Sequence, residues 1–299
     1  MANILVMMST YNGSEFLKIQ LDSLLNQIGV ETKIIIRDDG SEDGTQEILE
    51  EYAQKGKLEW FQGENVGPCK SFLDLLYNSG EFEYYAFCDQ DDYWYPEKLY
   101  AAIQKLTDRT KPQLYFSKKN IVDKNLRKME VEDTKVVTTS YGAALLNGVA
   151  YGCTMVLNLK AVQLLKTYYP TKTSMHDVWA YRVISALGDV IYDEKSYIDY
   201  RQHGNNSVGV QKSFFERIKI NLSNFKQRKY ERYRSQAAEE LYEAFGMMMS
   251  TEKRNMTYEL AKAPESVYNR IKLVFNKNLD SQSKRDLFII KIFILLGWI

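Results

Sequence analysis

Cysteine is scarce in this 299-residue chain: Cys69, Cys88 and Cys153 form no CxxC or CxxxC pair. Neither a structural zinc site nor a disulfide framework is expected, and three reduced, partly buried thiols fit the cytoplasm. No basic segment followed by a long apolar run opens the sequence, so no secretory leader is expected. Nothing approaches the roughly 20 apolar residues of a membrane-spanning helix. The nearest candidate, Leu287 to Ile299, is short and carries Lys291, so it either packs or lies at an interface. Net charge is missing too, with 39 Lys+Arg against 39 Asp+Glu, but the balance is uneven along the chain. From Gln211 to Ile299 there are 17 Lys+Arg and 10 Asp+Glu, or +7, which leaves −7 on the first 210 residues. A basic tail on an acidic body suits either an anionic partner, such as a membrane surface, or a plain solvated face. There is no internal repeat, no low-complexity tract, and no feature that calls for nucleic acid.

What is present is alternation. Ile4 to Met8 reads as a strand and Ser14 to Gln27 as a helix with Leu17, Leu21, Leu24 and Leu25 on one face. Lys33 to Ile36, Leu58 to Phe61 and Tyr84 to Cys88 read as further strands. Thr45 to Ala53, Pro68 to Ser79 and Pro96 to Leu106 read as the helices that follow the second, third and fourth strands. Such a pattern implies an α/β fold with a doubly wound, mostly parallel sheet flanked by helices. From Leu114 to Tyr200 short strands are expected, with a helix over His176 to Leu187. Beyond Gly209 the chain turns Lys/Arg/Tyr-rich and helical. The expected organisation is a catalytic domain over 1–210 and a C-terminal helical extension over 211–299.

Ligands of open α/β sheets bind beyond the carboxyl ends of the strands. Polar clusters sit in that position here: Ser9-Thr10-Tyr11-Asn12-Gly13, Arg37-Asp38-Asp39-Gly40-Ser41 and Asp89-Gln90-Asp91-Asp92. The first is not GxGxxG, which excludes a nicotinamide dehydrogenase. Three carboxylates within four residues repel one another unless a cation sits among them, and a hard ion such as Mg²⁺ or Mn²⁺ prefers such oxygens. The plainer alternative is a polar turn that caps the next helix. Asp38-Asp39-Gly40-Ser41 is either a turn with a helix cap or a pocket in which one carboxylate accepts the N3–H of a pyrimidine. Thr10 and Asn12 either cap a helix or line the nucleoside pocket. The only two histidines are His176, beside Asp177 at a helix start, and His203. Arg201 and His203 together offer a cation and an imidazole suited to diphosphate and metal.

These turns, with Asn65-Val66-Gly67 and Asp89-Gln90-Asp91-Asp92-Tyr93-Trp94-Tyr95-Pro96, resemble inverting glycosyltransferase family 2, which has the GT-A fold. His176-Asp177-Val178-Trp179 and Tyr200-Arg201-Gln202-His203-Gly204-Asn205-Asn206 resemble the bacterial rhamnosyltransferase branch that builds cell-wall and capsular polysaccharide. The match runs in order over roughly residues 3 to 210, which is more specific than any single motif, and departs at Val178, where the branch often carries an aromatic. The resemblance implies that Asp39 binds the base, Asp89 the ribose region, and Asp91 the metal with His203 as second ligand. It implies Asp177 as catalytic base, and Thr10, Tyr11, Asn12, Asn65, Gln90 and Arg201 as further nucleotide-sugar contacts. Mn²⁺ or Mg²⁺ is the implied cofactor. The implied donor is dTDP-L-rhamnose, with a UDP-sugar as runner-up, and the implied acceptor is a lipid-linked saccharide at the inner face of the cell membrane.

A nucleoside diphosphate leaves with developing charge that a metal stabilises, while a base takes the proton of the attacking hydroxyl. One base and no protein nucleophile imply single displacement with inversion. A glycoside hydrolase would need two flanking carboxylates with one kept protonated, and no such pair is identifiable. The rival from another class is a non-catalytic GT-A-like binding module, which would be expected to lack part of the carboxylate set.

Overall fold

The computed structural model describes residues 1–129, 137–203 and 232–299. Among these, eight strands form one sheet in the order β3-β2-β1-β4-β7-β6-β8-β5. The strands are β1 (Ala2–Thr10), β2 (Val30–Asp38), β3 (Glu59–Gln62), β4 (Tyr84–Cys88), β5 (Tyr93–Trp94), β6 (Gln113–Val122), β7 (Val156–Asn158) and β8 (Asp189–Arg201). The helices of the first half are α1 (Ser14–Leu25), α2 (Thr45–Gln54), α3 (Gly67–Asn78) and α4 (Lys98–Lys105). Next come α5 (Tyr141–Leu146), α6 (Leu159–Leu165) and α7 (His176–Leu187). The C-terminal helices are α8 (Tyr233–Phe245), α9 (Thr251–Lys262), α10 (Val267–Val274) and α11 (Lys284–Leu296).

The central strands are apolar throughout because both sheet faces are covered. Ile4, Val6 and Met8 point to one side, where Leu17, Leu21 and Leu24 of α1 and Leu99 and Ala102 of α4 complete a core. Leu5, Met7, Tyr85 and Phe87 point to the other. There they meet Phe72 and Leu76 of α3, Trp179 and Val183 of α7, Leu241 and Phe245 of α8, and Leu260 of α9. The C-terminal helices thus share one continuous core with the sheet.

β1 pairs in parallel with β2 and β4, and β2 with β3, as the strand–helix alternation requires. The second half departs from that pattern. β7 runs antiparallel between β4 and β6, and β5 is antiparallel to β8, while β6 and β8 are parallel. The sheet is therefore mixed, mostly parallel in its first half. The short strands expected from Leu114 to Tyr200 are corrected at two places: β6 has 10 residues and β8 has 13. Two helices are also shorter than expected. α1 stops at Leu25, where Asn26 begins the turn toward β2, and α4 starts at Lys98, past Pro96. The expected boundary at 210/211 and the Gly204-Asn205-Asn206 part of the motif lie outside the described residues.

Candidate active site

The register of the central strands brings three loops to one edge, because Thr10 pairs with Asp38 and Met8 with Cys88. The loops are then joined by side chains. The Tyr11 amide donates to Gln90 Oε1 at 2.9 Å, and Gln90 Nε2 returns a bond to the Tyr11 carbonyl at 3.1 Å. Asn12 has a left-handed backbone, φ 47°; its amide donates to Ser41 Oγ and its Oδ1 accepts the Glu42 N–H, each at 2.9 Å. A Cβ at Gly13 would stand 2.2 Å from Gln90 Oε1, so any side chain there would displace the Gln90 amide from Tyr11.

Asp38 is the anchor of the second loop. Its Oδ1 accepts the hydroxyls of Thr10 and Ser41, and its Oδ2 accepts the amides of Gly40 and Ser41 and the Gln46 side chain. The Thr10 side chain therefore faces the turn, and neither Thr10 nor Asn12 caps α1, whose N-cap is Gly13. Asp39 is buried and held on both oxygens, by the Arg37 guanidinium and by the Val66 amide at 3.4 Å. Arg37 also reaches Asp74 at 3.0 Å and the Glu64 carbonyl at 3.1 Å, so it ties the second loop to the Asn65 loop. Asn65 is exposed and accepts the Gly67 amide.

The acidic loop is completed by the end of β8. Pairing of β5 with β8 carries Arg201 and His203 onto it. His203 Nε2 lies 2.7 Å from Asp91 Oδ2, with both side chains partly open to solvent. The Arg201 amide donates to Asp92 Oδ1 at 3.1 Å, its Nε donates to the Asp91 carbonyl at 2.6 Å, and its guanidinium lies 4.4 Å from the Phe16 ring centre. Burial pushes the Asp89 carboxyl up to about 7, reinforced by the charges of Asp91 and Asp177. Asp92, fully enclosed, is raised well above the usual carboxylate range by the same cause. Lys98 lies beneath, 3.5 Å from the centre of the Trp94 ring, and burial lowers its ammonium to about 8.

Asp177 comes from the second half of the chain. A 3-10 turn, Gly152–Thr154, links it to the acidic loop. The Gly152 amide donates to Asp177 Oδ2 at 2.9 Å, and the Val178 amide to Oδ1 at 2.7 Å. Cys153, one residue on, has its sulfur within 4.8 Å of carboxylate oxygens of Asp89 and Asp92. Gly152 cannot carry a side chain, since a Cβ would meet His176 Nε2 at 2.8 Å. His176 itself is no ligand: it stacks on Phe72 with ring centres 4.1 Å apart, edges Phe87, and is kept neutral by burial, its pKa lowered to about 4.

Two oxygen- and sulfur-bearing groups compete as a cation seat. Asp89, Asp92 and Cys153 converge, but burial raises the Cys153 thiol well above its ordinary value, and a neutral thiol is a poor ligand for Mg²⁺ or Mn²⁺. Asp91 and His203 are partly open to solvent and already in contact, and the Asp91 charge is near enough to help raise the buried Asp89 carboxyl. Asp91 and His203 offer a carboxylate oxygen and an imidazole nitrogen side by side on the more open part of the loop. Four residues at this site are not assigned a role by the sequence. Arg37 opens the polar cluster after β2 without a role of its own there, Phe16 falls within a helical pattern, and Cys153 reads as a partly buried thiol. Lys119 belongs to β6, with Nζ 3.1 Å and 3.5 Å from the ring centres of Tyr151 and Tyr200. Its charge is near enough to Asp89 to lower that carboxyl's pKa. Two successive lysines, Lys118 and Lys119, in a strand otherwise largely buried are the one hint.

The family model of glycosyl transferase family 2 matches residues 5–161. The dTDP-rhamnosyl transferase RfbG of Shigella flexneri is 28% identical over 238 residues, covering 71% of this chain and 77% of its own. Among solved structures, S. aureus TarS 1-349 in complex with UDP-GlcNAc superposes with TM-score 0.54 at 18% identity, over 99% of this chain and 88% of that one. This chain spans 53% of the longer TarS structure. The mannosyltransferase PcManGT of Pyrobaculum calidifontis, in complex with GDP-Man and Mn²⁺, matches with TM-score 0.53 at 14% identity, over 97% and 87% of the two chains. At these identities the structural matches speak for the fold, which is GT-A.

Proposed function

The chain belongs to glycosyl transferase family 2, and from that premise we propose that it moves L-rhamnose from dTDP-L-rhamnose to a hydroxyl of a lipid-linked saccharide, with inversion, in bacterial surface polysaccharide synthesis. The observation that carries the reading is the meeting of two sets of groups at one sheet edge. The acidic loop with Arg201 and His203 lies on one side, and Asp177, fixed by two backbone amides, on the other.

In this reading Asp39, oriented by Arg37, meets the base, with Thr10, Tyr11, Asn12 and Asn65 shaping the nucleoside pocket. Asp89 and Gln90 border the ribose and first phosphate. Asp91 and His203 hold Mn²⁺ or Mg²⁺, which supplies positive charge to the diphosphate when bound. Arg201 and Lys119 add fixed cations on the same side, in a site where such charges cost no reorganisation as the leaving group departs. Asp177 takes the proton of the acceptor hydroxyl during attack. No protein nucleophile takes part, so the configuration at the anomeric carbon inverts in one step. The 1–210 region does the chemistry, and the helical region 211–299 serves the acceptor side.

The rhamnosyl donor is favoured by the similarity to the Shigella protein. A UDP-sugar is the second reading, favoured by the structural likeness to a protein crystallised with UDP-GlcNAc. The test is slow donor hydrolysis by the purified protein with Mn²⁺ and a panel of nucleotide sugars. Turnover of dTDP-rhamnose alone supports the reading. Turnover of a UDP-sugar alone replaces the donor, and hydrolysis of none would favour a non-catalytic binding module.

A further inference from the structure

Two helices at the C-terminus are apolar on the wrong side for a water-soluble surface. α11 buries Ile290 and Ile294 in the core but exposes Phe288, Ile289, Ile292, Leu295 and Leu296, with Phe288 66% open to solvent. At 3.6 residues per turn these five fall within an arc of about 120°, centred opposite the two buried isoleucines. α10 repeats the arrangement: Asn269 and Leu273 are buried, while Val267, Tyr268, Ile271 and the following Phe275 are exposed within an arc of about 100° on the opposite side. Arg270 of α10 donates to the Leu295 carbonyl, and its guanidinium would touch a Cβ added at Gly297, so the two helices lie against each other. A scattered exposed leucine needs no explanation, but outward apolar stripes on two adjacent helices do.

The charge around the stripes identifies the occupant. Residues 267–299 contain six basic side chains (Arg270, Lys272, Lys277, Lys284, Arg285, Lys291) against Asp280 and Asp286, a balance of +4. A second copy docked through this face would set +4 against +4, because a two-fold contact pairs a surface with itself. An anionic lipid surface is complementary to both the apolar stripes and the basic rim. Spanning is ruled out by length: α11 has 13 residues, about 20 Å of helix, against a hydrocarbon core of about 30 Å. Among the described residues no helix is long and apolar enough to cross a membrane.

We propose that the outer faces of α10 and α11 dock the protein on an anionic phospholipid bilayer, both helices lying in the interface plane. This extends the proposed lipid-linked acceptor and rests on that reading only for its purpose. The experiment is co-sedimentation of the full chain with phosphatidylcholine vesicles, with and without phosphatidylglycerol, and with donor hydrolysis read separately on the same preparation. The expected result is binding to the anionic vesicles that weakens with salt. In Phe288→Ser/Ile292→Ser/Leu296→Ser, whose three sites are on the surface, it should fall at least about tenfold with unchanged thermal unfolding. Three outcomes overturn the proposal: no binding by the parent, equal binding by the folded triple variant, or a parent dimer that the variant dissociates, which would assign the face to a second copy. A parent that hydrolyses donor but ignores vesicles defeats the docking alone. One that binds vesicles but hydrolyses no donor leaves the docking standing and defeats the transferase reading.

Discussion

At Asp91 a charge argument made from three neighbouring carboxylates meets a geometric one. Its carboxylate contacts His203, 112 positions away in the chain, and its carbonyl accepts the Arg201 guanidinium. Asp91→Asn is expected to abolish Mn²⁺-dependent nucleotide binding and leave thermal unfolding nearly unchanged, since Asn keeps the shape and can still hydrogen-bond His203. Calorimetric titration with dTDP and Mn²⁺ checks this, and parent-like affinity would move the metal elsewhere. His176 gives a pH prediction. Its pKa is lowered to about 4 in the fold from the 6.5 of an unperturbed histidine, so between those values the unfolded chain binds the extra proton. The His176 contribution is therefore complete above about pH 6.5 and is lost as pH falls toward 4, by up to about 3 kcal/mol. In urea unfolding at several pH values, His176→Leu should lose stability less steeply than the parent across that window. Equal slopes would mean that His176 is not buried neutral. At this scale the sequence was legible where chemistry is carried by residue type, as in the acidic loop. Asp38 and Asp39 were not separable, because a turn signature does not say which carboxylate faces inward.

The turn between β2 and α2 shows what holds the loops at the sheet edge together. Asp38 is fully buried and accepts five hydrogen bonds, from Thr10, Gly40, Ser41 twice, and Gln46. Asp38→Asn would turn an NH₂ toward donors that need an acceptor, at a cost of about 1–3 kcal/mol. Denaturant unfolding measures it, and a change under about 0.5 kcal/mol, ordinary for surface positions, would show that the turn relaxes freely. Element positions in the first half were readable because short continuous apolar runs alternate with segments whose apolar residues recur at the 3.6-residue helical period. The orientation of β7 was not. Val156, Leu157 and Asn158 are all buried, and a strand covered on both faces shows no alternation from which direction or partner could be inferred. The length of β8 was hidden for another reason: polar Asp193-Glu194-Lys195-Ser196, with Glu194 and Lys195 exposed, interrupts it and reads as a loop between two shorter strands.

Across the whole molecule, the first 129 residues form the part of the sheet that presents the proposed donor loops, while the proposed base comes from α7 and the proposed second metal ligand from beyond β8. Sequence order gives no hint that Gly152 and Asp177 touch, or that Lys119 sits beside Asp89; those contacts exist only because β7 and β6 add to the sheet next to β4. Fold class followed from alternation, and the site's location from the rule that ligands sit at strand carboxyl ends. Its second wall did not. The proposed division of labour at the sheet edge, donor on the first-half loops and proton transfer on α7, is tested most directly by Asp177→Asn, with transfer and donor binding measured on the same sample. The expected result is turnover reduced at least about 10²-fold, the lower range for loss of a general base, with dTDP and Mn²⁺ bound as tightly as by the parent. Near-parental transfer by the folded variant would contradict the mechanism.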